Sequence, residues 1–478
     1  MTWARGERRI LLVAIGLALA LRLALTFLND DANDDHLPVI DAIVRTGNLP
    51  ASGICFECYH PKLFHASAAA VAHILGLGPA SGNATYRLPA QILSSLAGFL
   101  MLWAGRAFIW EATPDRRTRY WSLALLVCNA PLAGISVQAT NDSFVILFGS
   151  LALLFAARLT RIAPSAPLPP LTVAFASGTS ILAALSKANG IVIFASVAAL
   201  FAWRTLARIR FSGERRTNLI ALALLCLPFF AVVPFAGQYV QAFHAAGTPF
   251  GNVPKNSPPG LCSPVLPTEP GGFNRPGVLS VCEGYFTFDL PGILRHPYIE
   301  SWGTNIIGAR SSLWTQLYAR SHFLFFEQWP PRWAGSEPWV LNLGRATLSL
   351  CLLPAALALL GLGLGVASFF PRGRPIAARL WSAEGAAVVP ALAMLAAFAA
   401  LNYQYRDHAS MKAIYVFPVM FSALWCFQRG ATAVRAELAA RGMRPALVEN
   451  AIGGSVVGVC GLYVGALAVL AWRLHTKT

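Results

Sequence analysis

The chain has 478 residues, 12% of them charged and 56% hydrophobic, with a mean hydropathy of +0.56. An average soluble protein is about 25% charged, and several stretches here run about 18–25 residues with few charges or none, long enough to cross a bilayer as helix; a soluble enzyme, a coiled coil and a disordered chain are excluded. Lysine and arginine (37) outnumber aspartate and glutamate (21) for a net +16, and the bases sit in short loops between apolar runs, which is positive-inside patterning and not a nucleic-acid surface.

The first span reads from Ile10 to Leu28, behind the basic start MTWARGERR. It resembles a signal peptide, but Arg22 interrupts it and no cleavage site follows, so it is expected to remain as an uncleaved span. A charge at that depth is expected to face the bundle and meet an acid or a phosphate.

Between Asn29 and Phe64 six acids (Asp30, Asp31, Asp34, Asp35, Asp41 and Glu57) stand against Arg45 and Lys62, a local net of −4 in a basic protein. Leu37, Ile40, Ile43 and Val44 recur at helical spacing ahead of Gly47 and predict a short amphipathic helix on the membrane surface. The stretch His65–Leu77 is apolar but too short to span and predicts a second interfacial or re-entrant helix. The run NDDANDDH, Asn29 to His36, is the strongest constellation in the chain. Clustered carboxylates raise one another's pKa, which suits one of them as a base, and their oxygens also suit a divalent cation. The competing reading is that Asp34 or Asp35 caps the following helix, which uses one aspartate and leaves the others unexplained. In CFECYHPKLFH, Cys55 to His65, Lys62 is placed to touch a lipid phosphate or to snorkel, and His60 to move a proton, bind metal or sit satisfied. Cys55 and Cys58 form a CxxC without a second one, weak support for zinc.

Further spans read near 86–109, 120–138, 143–158, 171–186, 189–205, 218–236, 339–367, 384–401, 412–427 and 451–472, giving eleven helices. The loops with Arg116, Arg117 and Arg119; Arg158 and Arg161; Arg204 to Arg216; Arg372 to Arg379; and Arg429 to Arg444 alternate with base-poor ones. Placing the N-terminus and this set in the cytoplasm leaves 29–85, 237–338 and 402–412 outside, with the C-terminus. The expected organisation is a membrane module at 1–236 with a catalytic first outer loop, a large outer loop at 237–338, a lid or extension rich in Pro, Gly and aromatics, and C-terminal spans at 339–478. Cys128, Cys226, Cys351, Cys426 and Cys460 read as packing residues inside spans. Cys262 and Cys282 lie outside, where a bridge is permitted, and are expected to form one.

Three later motifs place ionisable groups at the outer boundary. TND, Thr140 to Asp142, either carries function or caps a helix through Asn141 or Asp142. SKANG, Ser186 to Gly190, puts Lys187 on a side that positive-inside leaves poor in bases, which costs free energy unless it meets an anion. NYQYRDHASMKAIY, Asn402 to Tyr415, groups Arg406, His408 and Lys412, and guanidinium and ammonium groups suit phosphate; Asp407 paired with a neighbouring base would instead make it a structural knot. No Walker A loop or dinucleotide fingerprint is present.

In their order, the acidic run after the first span, HPKLFH, the ND after the third span, the SKANG turn and the basic, Tyr-containing entry from Lys412 to Pro418 resemble the GT-C glycosyltransferases. The relatives meant are the protein O-mannosyltransferases and the aminoarabinose and galacturonic acid transferases of lipid A. The likeness covers roughly 10–205 and more faintly 400–427. Lys62 departs from it, standing where many relatives have a second proline. The resemblance implies an all-α polytopic GT-C-like fold with about eleven transmembrane helices. It implies transfer of one sugar, with inversion, from a polyprenyl-phosphate donor to a lipid, glycan or protein acceptor at the periplasmic face of a bacterial inner membrane. Asp34 is the first choice of base, ahead of Asp35, with Asp31 and Asp142 beside it. Lys187, Arg406, Lys412 and Lys62 would meet the donor phosphate, and His36, His60 and His408 would complete the site. A divalent metal on Asp31, Asp35 and Asp142 is compatible with it but not required. The alternative is a secondary transporter or lipid flippase, which tends to show internal repeats and charges at the midplane; no repeat is seen here, and the acids lie at the surface.

Overall fold

A computed structural model describes residues 2–29, 35–51, 54–163, 166–212, 237–246, 285–295, 297, 312–323, 338–370, 379–404 and 412–476. Among these residues the regular structure is helical throughout, without a strand. Among the described residues six stretches are long and apolar enough to cross a membrane: Arg5–Leu28, Asn83–Ala112, Asp142–Thr160, Pro338–Ala367, Ala383–Asn402 and Pro445–His475. The protein is an all-α, multi-pass membrane protein.

The first half is built from α1 (Thr2–Leu28), α2 (His36–Thr46), α3 (Leu63–Ile74), α4 (Arg87–Ala112), α5 (Arg116–Cys128), α6 (Ala130–Ser136), α7 (Asp142–Thr160), α8 (Pro170–Ser186) and α9 (Gly190–Ser212). Leu and Ala dominate α1, and 27 residues at about 1.5 Å each reach across a hydrocarbon core. The amphipathic segment after the acids forms α2 and ends at Gly47, whose φ of +67° is the left-handed cap that glycine adopts without strain. The span expected at 120–138 is two helices. Asp115 starts α5, its carboxylate accepting from the Arg117 and Thr118 amides. Asn129 then starts a new helix, accepting from the Leu132 amide ahead of Pro131.

The break in that span holds Arg22. Its guanidinium donates to the carbonyls of Val127 (2.9 Å) and Asn129 (3.4 Å) and to Ser136 Oγ (3.2 Å), and the side chain is fully buried. The expected acid or phosphate is therefore replaced by carbonyls at the C-terminal end of α5, where the helix dipole favours a cation. Thr26 Oγ1 and Ser95 Oγ (2.7 Å), and Ser95 Oγ donating to the Ser136 carbonyl (3.1 Å), extend this polar seam between α1, α4 and α6.

Of the segment 237–338 three helices are described, α10 (Gly237–Ala246), α11 (Leu290–Arg295) and α12 (Leu313–His322). The expected span at 218–236 and the cysteines Cys226, Cys262 and Cys282 lie outside the described residues. The second half contains α13 (Pro338–Leu350), α14 (Leu352–Ala367), α15 (Ala383–Gln404), α16 (Met420–Ala440) and α17 (Pro445–His475). The span expected at 412–427 enters through two short 3-10 turns, Ala413–Tyr415 and Phe417–Val419, before α16 begins. α14 and α16 touch backbone to backbone, since a Cβ on Gly361 would overlap the Cys426 carbonyl and one on Gly430 the Leu357 carbonyl. Cys128, Cys351, Cys426 and Cys460 are buried and free.

Two ends of the bundle gather the ionisable residues. At one end the arginines form a network across α1, α5, α16 and α17. Arg117 binds Glu7 and Glu449 (2.7 Å to the latter), Arg435 binds Asp115 (2.8 Å), and Trp121 Nε1 donates to Glu7 (2.6 Å). The opposite end gathers the motifs singled out above.

Candidate functional site

Asp142 is the first residue of α7, and the turn before it is locked by Thr140, whose hydroxyl donates to Asp142 Oδ2 (3.0 Å) and accepts from the Asp142 amide (3.2 Å). Neither Asn141 nor Asp142 caps α7 through its side chain. Lys187 leaves α8 in extended conformation, and its Nζ donates to Asp142 Oδ2 at 2.7 Å, with both side chains buried. The turn that presents it needs Gly190, because a Cβ there would overlap the Ala183 carbonyl. Tyr415 closes the other side. Lys187 Nζ lies 5.4 Å from its ring centroid, a cation–π contact, and Asn189 Nδ2 donates to its carbonyl (3.0 Å).

The first outer segment supplies a second cluster. A disulfide joins Cys55 to Cys58 across the 3-10 turn Phe56–Tyr59. In that turn Glu57 and His60 are three apart and share a face. Glu57 Oε2 lies 3.5 Å from His60 Nε2 and 3.7 Å from His36 Nδ1. His36 Nδ1 and His65 Nε2 are hydrogen-bonded at 3.0 Å. Lys62 turns back on its own loop, its ammonium donating to the Cys58 and His60 carbonyls. It is buried, so neither snorkelling nor an open lipid contact describes it. Phe64, edge-on to Phe144 at 5.3 Å, seats α3 against α7 beside Asp142.

Burial, with the charge of Lys187 adding to it, holds His36, His60 and His65 well below the ordinary imidazole pKa, so all three are neutral near pH 7. Lys412 also acts on His36, and Lys62 on His60 and His65. Burial likewise lowers Lys62 to about 8, against the pull of Glu57. Lys187 thus sits within electrostatic reach of all three histidines, and the two clusters form one site.

Several buried polar atoms here have no hydrogen-bond partner among the described residues: Asp142 Oδ1, both amide atoms of Asn141, His36 Nε2, His60 Nδ1 and His65 Nδ1. Native interiors leave few such groups unpaired. Their concentration beside Lys187 marks a region able to take a polar ligand and to exchange protons with it.

The expected site residues divide three ways. Asp142, Lys187, Lys62, His36 and His60 are brought together, and Lys412 stands next to them, half-buried at the entry to the Tyr415 turn. Asp35 is exposed at the start of α2 and makes no side-chain cap. Asp31, Asp34, Arg406, Asp407 and His408 lie outside the described residues. Glu57, counted only among the acids, Asn141, named only as a helix cap, and His65 and Tyr415 are not among the site residues expected from sequence. No group of three metal-ligating His, Cys, Asp or Glu side chains occurs among the described residues.

No family model and no curated protein matches the chain. Among solved structures it is similar to ArnT from Cupriavidus metallidurans bound to undecaprenyl phosphate, with 12% identity, 98% of this chain and 77% of that one covered, and a TM-score of 0.46. It is also similar to the Archaeoglobus fulgidus oligosaccharyltransferase in complex with Zn and sulfate (16% identity, 96% and 53% covered, TM-score 0.47). The oligosaccharyltransferase AglB of the same organism, in complex with an inhibitory peptide and a dolichol-phosphate, gives 15% identity, 97% and 56% covered, and a TM-score of 0.44. The chain spans just over half the length of the archaeal oligosaccharyltransferase in both structures.

Proposed function

We propose that this chain is an integral membrane glycosyltransferase that moves a single sugar from a polyprenyl-phosphate donor to an acceptor hydroxyl at the Asp142–Lys187 end of the bundle, facing the periplasm of a bacterial inner membrane. The buried Lys187–Asp142 pair, ringed by neutral histidines and unpaired polar atoms, is the observation that carries the reading. A buried ammonium held by one carboxylate oxygen is preorganised to meet phosphate charge as it develops.

In the reaction the acceptor oxygen bonds to the anomeric carbon while the bond from that carbon to the phosphate oxygen breaks, with inversion. The hydroxyl proton passes to a carboxylate, Asp34 first and Asp35 second, a contribution of about 10²–10⁴ in rate. The electron pair leaves on the phosphate, stabilised by Lys187 with Lys412 and Arg406, while Lys62, turned back on its own loop, adds positive charge from behind. His36, His60 and His408 complete the polar lining, and the polyprenyl tail lies among the helices. A divalent cation on Asp31, Asp35 and Asp142 is compatible with this reading but not required; Asp142 would share it with the Lys187 ammonium.

The test uses purified protein in detergent with lipid extract of its own host and mass spectrometry for a co-purified polyprenyl-phosphate sugar. Wild type should consume the donor, Asp34→Asn should retain it without turnover, and Lys187→Met should lose it. Absence of donor and of turnover in all three, with cargo movement in sealed vesicles, would replace the enzyme with a transporter or flippase.

A further inference from the structure

The arginine-rich end contains a surface that the charge network does not use. Among the described residues every carboxylate at this end already has an arginine: Glu7 and Glu449 hold Arg117, Glu111 holds Arg158 and Arg161, Asp115 holds Arg435, Glu384 faces Arg429, and Glu437 holds Arg441. Arg8 on α1 and Arg106 on α4 are exposed, and no described carboxylate lies within ion-pair reach of either. Both are nonetheless held in place, by aromatic rings. Arg8 lies over Tyr120 at 4.9 Å and Arg106 over Trp110 at 5.0 Å. The two rings meet edge to face at 6.0 Å. Arg119 covers Trp110 from α5 at 5.9 Å, its guanidinium anchored on the carbonyls of Thr113 (2.7 Å) and Trp110 (3.0 Å).

Three guanidinium groups thus converge on a pair of aromatic rings where α1, α4 and α5 meet. On α4, Trp103, Arg106 and Trp110 recur at three- and four-residue spacing and share a face. Trp103, seven residues before Trp110 within the span-length stretch Asn83–Ala112, is 67% exposed. We propose that this face binds the phosphate headgroup of an anionic phospholipid in the adjacent leaflet. Arg8 and Arg106 contact the phosphate, Arg119 holds the aromatic floor, and one acyl chain runs along Trp103. Guanidinium groups preorganised on rings lose little freedom when they take a phosphate, and the Trp103 stripe selects a lipid over free phosphate.

Native mass spectrometry of the full chain in detergent, titrated with phosphatidylglycerol, phosphatidylcholine or inorganic phosphate, tests this. Phosphatidylglycerol should bind more tightly than phosphatidylcholine. The double variant R8Q/R106Q should weaken phosphatidylglycerol roughly tenfold or more, from the attraction each basic residue has for an anionic surface, and leave phosphatidylcholine unchanged. R441Q, at the same end but on another loop, should bind like wild type. The single variants R8Q and R106Q, each weaker by a few-fold, keep the test decisive if the double one does not fold. Equal binding of the two lipids, or wild-type binding of phosphatidylglycerol by R8Q/R106Q, overturns the site. Displacement of the lipid by inorganic phosphate overturns the choice of a lipid ligand.

Discussion

The two ends of the bundle handle buried charge in opposite ways. At the arginine-rich end Glu7, buried, accepts from Arg117 and from Trp121, and Arg117 goes on to bind Glu449 and Asn450, so that its donors are spent on three partners. At the other end Asp142 is equally buried, yet one of its oxygens has no partner among the described residues, and Asn141 beside it uses neither amide atom. The first arrangement staples α1, α5, α16 and α17 and gains from being complete. The second leaves polar groups for a bound polar ligand or ordered water to satisfy. Saturation marks structure and incompleteness marks function, although both ends are rich in ionisable residues.

The comparison breaks most visibly at Lys187. Lys187→Met leaves the Asp142 carboxylate buried and unpaired, and should cost about 3–5 kcal/mol; chemical denaturation in detergent reads the loss. Asp142→Asn with Lys187→Met should recover most of that stability while donor turnover stays absent, separating the folding role of the pair from its chemistry. At the saturated end Arg117→Ala should cost about 2 kcal/mol, with turnover per folded molecule unchanged.

Acid should act on the two ends unequally. His36, His60 and His65 titrate in the folded chain well below their unfolded value of 6.5, so the unfolded chain binds more protons as pH falls past that point, and stability is lost from pH 6.5 downwards. The groups facing them, Glu57, Lys62, Lys187 and Lys412, supply one negative charge against three positive ones. Thermal melts at pH 7.5, 6 and 5 should show Tm falling by on the order of several degrees, and His36→Asn should flatten the trend. The smallest effect belongs to the arginine-rich end, where Asp115→Ala removes the α5 cap for about 1 kcal/mol.

Much of the helical layout was legible in hydropathy. Span positions came out within several residues for α1, α4, α7, α8 and α9, because a bilayer imposes length and apolarity on every crossing segment. The break at Asn129 was not read, although Asn followed by Ala-Pro is a helix start, because the apolar composition runs straight through it. In the site, Asp142 and Lys187 were each singled out as costly charges, yet their pairing spans 45 residues and is set by how α7 packs on α8. Glu57 and His65 are absent from the expected site for a related reason. An acid in an acidic loop and a histidine opening an apolar stretch look ordinary until folding buries them against His36. Arg22 faces the bundle, as its depth implies, but its partners are backbone carbonyls freed by a helix break, which have no signature in side-chain chemistry.

That last residue bears on how the protein is made. Arg22 is synthesised 105 residues before the Val127 carbonyl that receives it. When α1 is made, its guanidinium therefore has none of its final partners, and an unpartnered arginine inside an apolar span is costly. α5, only 13 residues long, is too short to cross alone. α1 is apolar enough to cross by itself, and the end of α5 supplies the carbonyls that the one buried arginine of α1 takes. The seat of Arg22 is therefore complete only once the chain through α5 and α6 has been made.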